Sequence, residues 1–216
     1  MLINFNEKQS LINQYIAEMR DEKIQKDSLR FRTNMERIGA LIGYEISKVL
    51  EYEAVDIQTP LGISKSMVLK DKVVLATILR AGLPLSNGFL NVFDKAESGF
   101  VTAYRKYHSD NDFDIKIEYM SSPRLDDKVL ILSDPMLATG SSMVMAYKSL
   151  LKNGIPKHTH IVAAIASKEG VEYVKRNIKD SEITIWTGAI DDELTVQSYI
   201  VPGLGDAGDL AFGEKE

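Results

Sequence analysis

A chain of 216 residues with 44% hydrophobic residues can fill a sizeable core, and its net charge of -5 gives no general attraction to nucleic acid or to anionic membranes. The absence of cysteine excludes disulfides, thiolate catalysis and cysteine-based metal sites, and it fits a reducing cytoplasm. The N-terminus lacks the features of a secretory signal, and no apolar run approaches the ~20 residues of a membrane-spanning helix, so we expect a soluble cytoplasmic protein.

Two helices and a hairpin are predicted in the first third of the chain. Apolar residues recur at helical spacing between Ser10 and Glu53, with a separation near Asp27 and Ser28. The stretch VDIQTPLGISKSMVL then alternates and contains a Thr-Pro-Leu-Gly turn signal, which predicts a hairpin or an irregular strand pair.

Three strand–loop–helix units follow. The apolar run KVVLATIL stops at Arg80-Ala81-Gly82 and leads into a helix with Pro84 in its first turn, and KVLILSDPMLATGSSMVMAY and THIVAAIASKEGVEYVKRN repeat the unit. Near-continuous apolar strands that alternate with helices predict a parallel sheet covered on both faces. Between the first two units, the polar residues His108 to Asp112 separate two β-leaning segments, which predicts a flexible hairpin or lid.

The last stretch, WTGAIDDELTVQSYIVPGLGDAGDLAFGEKE, breaks this pattern. Its segment PGLGDAGD contains three glycines and two aspartates and little apolar content. We therefore expect a surface loop whose backbone approaches another group closely.

The loop Asp134 to Ser142 lies at the carboxyl end of a predicted strand, where open parallel sheets bind ligands. Small residues at a helix start let a phosphate approach unpaired backbone N–H groups, although the lysine of a Walker P-loop is missing. A carboxylate beside a phosphate is favourable if the ligand also presents hydroxyl groups, as a ribose 5-phosphate does. The alternative interpretation is that Asp134 caps the following helix.

The segment VLILSDPMLATGSS resembles the phosphoribosyl-pyrophosphate motif of the type I phosphoribosyltransferases, and its DPMLATG is similar to that of uracil phosphoribosyltransferase. Two more segments agree with this family, ILRAG at Ile78 to Gly82 and YIVPGLGDAGD at Tyr199 to Asp209. Weaker similarity covers MRDEKIQKDSLRFRTNMERIGALIGYEISKVL near the N-terminus. The match spans nearly the whole chain in the family's order.

The resemblance implies one α/β domain over residues 1–216, built as a type I phosphoribosyltransferase-like parallel sheet flanked by helices. It implies a helical N-terminal part (1–53), a lid and hairpin arm (101–123) and a C-terminal base-binding hood loop (186–216). The implied reaction transfers the phosphoribosyl group of phosphoribosyl pyrophosphate to uracil, giving UMP and pyrophosphate. Mg²⁺ is implied as a cofactor held mainly by substrate oxygens, without a protein metal ligand.

The resemblance also implies roles for individual residues. Three catalytic residues are implied: Asp134 binds the ribose hydroxyls, while Arg80 and Arg105 contact pyrophosphate, Arg105 from a mobile loop. The phosphoribosyl-pyrophosphate site further comprises Asp206 and a segment that holds the 5-phosphate, namely Pro135, Met136, Leu137, Ala138, Thr139, Gly140, Ser141 and Ser142. The implied uracil contacts are Ile200, Gly205, Asp206 and Ala207.

Backbone groups are implied to carry much of the base recognition. A carbonyl can accept the ring N–H of uracil and an N–H can donate to its exocyclic oxygen, whereas cytosine presents the reverse pattern at both atoms. Cytosine would leave polar groups unpaired, so we expect strong discrimination.

The sequence departs from the family pattern at several positions. Ser141 stands where glycine is expected after Thr139-Gly140, which could narrow the phosphate loop or add a hydroxyl donor. Leu210 stands where an arginine often follows GDAGD, and SKEG at Ser167 replaces the usual APEG. We expect these changes to affect affinity more than reaction type.

Some interpretations remain open beside this one. His158 and His160 could bind a metal if they share one face of a strand, but solvated residues at the start of a strand are the simpler expectation, and Met143 and Met145 are predicted to pack in the core. A nucleotide-sensing regulator and an enzyme for a purine or for orotate are the alternative functions, and neither nucleic acid nor membrane is expected as a partner. The resemblance implies a homodimer or a higher homo-oligomer, with GTP as a candidate effector.

Overall fold

The computed structural model describes residues 1–109, 112–179 and 181–214, and for residues 103–109 and 112–117 the description is confined to the backbone. The α-helices of this part of the chain are α1 (Leu11–Arg20), α2 (Ser28–Ser47), α3 (Leu83–Leu90), α4 (Ser141–Leu150), α5 (Lys168–Asn177) and α6 (Ala207–Phe212). Its strands are β1 (Leu2–Asn4), β2 (Tyr52–Thr59), β3 (Gly62–Leu69), β4 (Val73–Leu79), β5 (Glu97–Ser109), β6 (Asp112–Ser121), β7 (Val129–Ser133), β8 (Met136–Leu137), β9 (His158–Ser167), β10 (Ile183–Asp191), β11 (Glu193–Leu194) and β12 (Ile200–Val201).

The central sheet has the strand order β1-β10-β9-β7-β4-β5-β6, with β8 paired to β9. Its strand pairs are parallel except for β5 and β6, which form the predicted antiparallel hairpin. The strand–loop–helix pattern therefore predicted this sheet correctly. Strands β2 and β3 form the other predicted hairpin as a separate two-stranded sheet, and β11 pairs with β12.

Helices cover both faces of the sheet. Residues of α1, α2, α3 and α6 pack in one buried cluster, and residues of α4 and α5 pack in a second cluster against the opposite face. The central strands have apolar side chains on both faces for this reason, and β7 is buried along its whole length. Among the described helices, none is both long and apolar enough to cross a membrane.

The two N-terminal helices begin and end close to where the sequence predicted. Ser10 and Asn13 form a capping box at the start of α1, and the Asp27 carboxylate accepts a hydrogen bond from the Arg30 backbone N–H at the start of α2. The predicted separation near Asp27 is confirmed.

The prediction of a surface loop from Trp186 onward is wrong for two parts of that stretch. Trp186 lies inside β10 and is 3% exposed, because the strand is covered on both faces. Ala207 and Ala211 of α6 are also buried, since their small side chains let this short helix pack close to α2. Arg32 of α2 donates a hydrogen bond to the Ala211 carbonyl at 2.6 Å, which anchors the last turn of α6.

The expectation of solvated histidines at the start of β9 is wrong for His160. This residue is 3% exposed, and its Nδ1 accepts a hydrogen bond from Trp186 Nε1 at 3.0 Å. Burial, and then the neighbouring His158, lower the pKa of His160 to about 3, so the ring is neutral. His158 is half-buried and bonds to the Thr184 hydroxyl at 2.9 Å. Within the described ranges, no group of three or more histidine, aspartate or glutamate residues is arranged to hold a metal ion.

Candidate active site

The loop after β4, the loop after β7 and the C-terminal segment converge on one cavity of about 560 Å³. The two loops meet because β4 and β7 are adjacent parallel strands, so their carboxyl ends lie at the same edge of the sheet. The C-terminal segment closes the cavity from the side of β12 and α6. Both polar and apolar side chains line the cavity, as is usual for small-molecule sites.

The loop after β7 leads from Asp134 through β8 to the start of α4. Gly140 is the N-cap residue of α4, has φ 79° and has no side chain to cap the helix, and the Ser141 N–H makes only a long hydrogen bond of 3.4 Å to Thr139 Oγ1. Thr139, Gly140 and Ser142 line the cavity, so the helix N-terminus faces the ligand space. Backbone N–H groups in this position bind phosphate well.

Helix α5 supports this loop from behind. The Ser167 hydroxyl donates to the Ala138 carbonyl at 2.5 Å and accepts from the Gly170 N–H at 2.8 Å. A Cβ atom on Gly140 would lie 2.7 Å from the Gly170 carbonyl oxygen, so only glycine fits where the loop crosses α5. The SKEG segment therefore has a clear structural role in holding the loop.

Two serines of the motif have structural partners. The Ser133 hydroxyl donates to Thr77 Oγ1 at 3.2 Å within the sheet, which explains a polar residue at the buried end of β7. The Ser141 hydroxyl accepts a hydrogen bond from Thr139 Oγ1 at 3.2 Å, and Ser141 is not among the described residues that line the cavity. Ser141 is therefore not part of the described cavity wall.

Asp134 faces the cavity and is half-buried. Its carboxylate accepts a hydrogen bond from the Met136 N–H at 3.3 Å, and the cap of α4 is Gly140, so the helix-cap interpretation of Asp134 is wrong. Burial raises the pKa of Asp134 to about 7, and the negative charge of Asp206 adds to the increase. An acid with a perturbed pKa in a cleft is a typical feature of a functional site.

Arg80 begins the loop after β4 and lines the same cavity. Its Nη2 donates to Asp209 Oδ1 at 3.0 Å and to the Gly213 carbonyl at 2.7 Å. The Leu79–Arg80 peptide bond is cis. The C-terminal segment thus holds the guanidinium group at the cavity wall.

Because residues 186–191 belong to β10, we use the word hood from here on for residues 192–214, which follow that strand. The hood contributes Ile200, Gly205 and Ala207 to the cavity wall, together with Asp206. Asp206 also caps α6, because its Oδ1 accepts from the N–H groups of Gly208 at 2.8 Å and Asp209 at 3.0 Å. Leu210 is half-buried and packs against the apolar cluster under the hood, on the same side as α2.

Most of the residues selected from sequence meet at this cavity. Those that line it are Arg80, Asp134, Met136, Leu137, Ala138, Thr139, Gly140, Ser142, Ile200, Gly205, Asp206 and Ala207. Pro135 is not part of the cavity wall. Its backbone carbonyl accepts a hydrogen bond from the Ile165 N–H of β9. The side chain of Arg105 and that of His108 lie outside the described residues.

Two polar residues of the cavity wall, Gln197 and Ser198, lie outside the motifs quoted from the sequence. Ser198 has φ 64°, which brings the polar segment before β12 over the cavity. The quoted motif starts at Tyr199, and the four residues Thr195 to Ser198 that precede it form no recognisable motif. Similarly, Met143 was expected to be only a core residue, and it is buried but also contributes to the cavity wall.

Comparison with solved structures identifies the class of fold. The chain superposes on the AQ2163 protein from Aquifex aeolicus with a TM-score of 0.88 at 30% sequence identity, over 99% of this chain and 98% of that chain. A hypoxanthine phosphoribosyltransferase from Staphylococcus aureus superposes with a TM-score of 0.51 at 13% identity, over 74% of each chain, and supports the fold alone. The central sheet and its flanking helices therefore have the fold of the type I phosphoribosyltransferases.

The sequence comparisons are more specific. The uracil phosphoribosyltransferase family profile matches residues 6–214. A uracil phosphoribosyltransferase from Porphyromonas gingivalis is 56% identical over 99% of both chains, and one from Pyrococcus furiosus is 38% identical over 94% of this chain and 86% of that protein. This chain belongs to the uracil phosphoribosyltransferase family.

Proposed function

We propose that this protein transfers the 5-phosphoribosyl group of phosphoribosyl pyrophosphate to uracil, giving UMP and pyrophosphate, as a step of pyrimidine salvage in the cytoplasm. The observation that carries this proposal is the convergence of an arginine loop, a phosphate-sized loop and a glycine-rich hood on one cavity. Each of the three supplies the chemistry that one part of the reaction needs.

The loop after β7 binds the ribose 5-phosphate. The N-terminus of α4 offers backbone N–H groups to the phosphate, Ser142 adds a hydroxyl donor, and the Thr139 hydroxyl donates once it turns from Ser141. Asp134 accepts hydrogen bonds from the ribose hydroxyls. Burial raises the pKa of the Asp134 carboxyl group because it removes water from the carboxylate. The two ribose hydroxyls would supply hydrogen bonds in place of that water.

Two cations stabilise the leaving group. Arg80, which Asp209 and Gly213 hold at the cavity wall, contacts pyrophosphate, and Arg105 approaches from the lid when the lid closes. Pyrophosphate departs as positive charge builds on the ribose ring, and uracil N1 then attacks the anomeric carbon, which forms the N-glycosidic bond as the N1 proton is released to solvent. The protein positions the reactants and stabilises charge, and it forms no covalent intermediate.

Mg²⁺ fits this site as a cation that enters with the substrate. Asp134 and Asp206 face one cavity, and their repulsion contributes to the raised pKa of Asp134. Hard carboxylate and phosphate oxygens suit Mg²⁺, which usually keeps several waters. When bound, the ion would neutralise charge on the pyrophosphate, and Asp134 and Asp206 are the carboxylates that would stabilise it without binding it directly.

The hood recognises the base. Ile200 supplies an apolar wall, and the backbone of Gly205, Asp206 and Ala207 supplies donors and acceptors that match uracil. Asp206 also faces the phosphoribosyl pyrophosphate. The segment Tyr199 to Asp209 argues against a purine or orotate as the base, and the net charge of -5 argues against a regulator that binds nucleic acid.

The protein acts as a homodimer or a higher homo-oligomer. The hairpin formed by β5 and β6 was the predicted dimer arm, but the hairpin formed by β2 and β3 is a second candidate. Its strands stand apart from the central sheet, and Ile57, Leu61, Ile63 and Met67 expose their apolar side chains there. GTP is tested as an effector in the same assays.

The test is a direct assay of the purified protein with Mg²⁺ and phosphoribosyl pyrophosphate. Uracil, cytosine, thymine, hypoxanthine and orotate are supplied separately, with and without GTP, and nucleotide and pyrophosphate are followed. UMP formed from uracil alone is the expected result. Folded protein that binds phosphoribosyl pyrophosphate but forms no nucleotide would refute the proposal in favour of a regulator.

A further inference from the structure

An ion pair between the end of α1 and the end of β10 holds the hood at Gly203. Arg20 Nη2 donates to Asp191 Oδ1 at 2.7 Å, and Arg20 Nη1 donates to Asp191 Oδ2 at 2.8 Å. Arg20 Nη1 also donates to the Gly203 carbonyl at 3.0 Å, and the Gly203 N–H donates to Asp191 Oδ2 at 2.9 Å. The pair therefore binds both polar backbone groups of one glycine.

The position of Gly203 matters because the chain turns sharply there. Gly203 has φ 54°, and a Cβ atom at this position would lie 2.0 Å from the Ile200 carbonyl oxygen. Ile200 lies on one side of the turn and Gly205 on the other, and both line the cavity. The path of the hood between these two residues consequently depends on the orientation of the Gly203 backbone.

The surroundings of the pair favour a rigid hold. Asp191 is 7% exposed and Arg20 is 23% exposed, so both charges are largely shielded from solvent. The two parallel N–H···O bonds fix the planes of the guanidinium and carboxylate groups relative to each other. Because β10 and α1 belong to the packed body of the protein, the pair ties the hood to a rigid frame.

Neither residue contacts the ligand space directly. Arg20 and Asp191 are absent from the described lining of the cavity, and they reach it only through Gly203. We propose that Arg20 and Asp191 are positioning residues for base recognition, and that they set the spacing of the hood backbone that reads uracil. This inference rests on the proposed function, since it assigns a role to residues behind the base site.

The proposal predicts a selective kinetic defect. A hood that shifts by a fraction of an ångström loses matched hydrogen bonds to the base, while the phosphate loop after β7 is supported separately by α5. Loss of the pair should raise KM for uracil on the order of tenfold or more and leave KM for phosphoribosyl pyrophosphate within about twofold. The preference for uracil over cytosine should fall at the same time.

Three variants test this prediction. The double variant Arg20→Met/Asp191→Leu removes both charges together, which avoids leaving one buried charge unpaired. Arg20→Lys keeps the charge but cannot form the planar pair, so it should give an intermediate KM for uracil. Arg30→Met is the matched control, because it removes a different ion pair that lies away from the hood. This is the pair of Arg30 in α2 with Glu18 in α1, at 3.0 Å.

Steady-state kinetics and backbone hydrogen exchange are measured on the full chain. We expect the Gly203 amide to be protected in the wild type and in Arg30→Met and to exchange faster in the double variant, because its acceptor is lost. An unchanged KM for uracil in a folded double variant would overturn the proposal. If the double variant does not fold, an unchanged KM for uracil in Arg20→Lys would overturn it instead.

These readouts separate the positioning role from the function on which it depends. A wild-type protein that makes no UMP refutes the proposed function, and the exchange of the Gly203 amide then still decides whether the pair holds the hood. Equal exchange in the wild type and in both Arg20 variants would refute that role. A wild type that makes UMP, beside variants with unaltered uracil kinetics, would refute the inference alone.

Discussion

Replacing Asp134 with asparagine should make the free protein more stable and less active. The pKa of this carboxyl group is about 7 in the folded chain, compared with an ordinary value of 3.8, because burial and Asp206 disfavour its charge. The folded state therefore binds the proton more tightly than the unfolded state does. Stability contributed by the protonated acid is present at low pH and is lost as the pH rises from the unfolded pKa through the folded one.

The size of the effect follows from the two pKa values. A difference of about three units corresponds to about 4 kcal/mol of unfavourable free energy above pH 7. Since Asp134 is half-buried at an open cavity, solvent screens part of this, and we expect about 2 kcal/mol to remain. Asparagine has nearly the same shape and stays neutral, so Asp134→Asn should raise the free energy of unfolding at pH 8 by about 2 kcal/mol. At pH 4 the difference should nearly disappear.

The same substitution should reduce catalysis. Losing charge-assisted hydrogen bonds worth about 1.5 to 3 kcal/mol to the ribose hydroxyls corresponds to a fall of roughly 10- to 150-fold in kcat/KM for phosphoribosyl pyrophosphate. Chemical denaturation at pH 8 and pH 4 and initial rates at limiting substrate measure both effects. Asp94→Asn, at an exposed position, is the control and should change neither quantity. Wild-type turnover, or a lower stability at pH 8, in Asp134→Asn would refute the reasoning.

Three further substitutions test other parts of the site. Arg105→Ala should lower kcat without abolishing the preference for uracil, and unchanged steady-state kinetics would remove Arg105 from the lid hypothesis. Asp209→Ala should raise KM for phosphoribosyl pyrophosphate several-fold, because Arg80 loses its 3.0 Å partner, while thermal unfolding changes by less than about 1 kcal/mol since the pair is more than a third exposed. A large loss of stability with an unchanged KM would assign Asp209 a structural role only. Burial and His158 lower the pKa of His160 to about 3 in the folded protein. The stability that neutral His160 contributes is therefore fully present above the unfolded pKa and is lost as the pH falls from the unfolded pKa toward the folded one. Between pH 8 and pH 5 the free energy of unfolding, measured by urea denaturation, should fall by about 2 kcal/mol more in the wild type than in His160→Asn. Parallel plots of this free energy against pH for the two proteins would show that His160 does not titrate in this way.

Much of the architecture could be predicted because its signals are local. The apolar runs before Arg80, Asp134 and Ser167 became β4, β7 and β9, since a strand covered on both faces must be apolar throughout. The alternating segment after Glu53 became the β2–β3 hairpin with its predicted turn. The three motifs of the resemblance lie at one cavity because parallel strands bring their carboxyl ends together.

Other features could not be read from sequence because they depend on partners far along the chain. His160 is buried since Trp186, 26 residues later, covers it from the adjacent strand. Ser141 turns toward Thr139, which no residue pattern specifies, and it is not part of the described cavity wall.

The sequence by itself determined the elements, the family resemblance and the position of the loop after β7, because these depend on neighbours in the chain and on short motifs. Only the tertiary structure decided what holds that loop and the hood in place. Arg20 and Gly203 are separated by 183 positions, and Arg80 and Asp209 by 129, yet both pairs meet at the hood. A charged residue gives no local signal of its partner, so only the packing of α1, β10 and α6 around the sheet brings these groups within bonding distance.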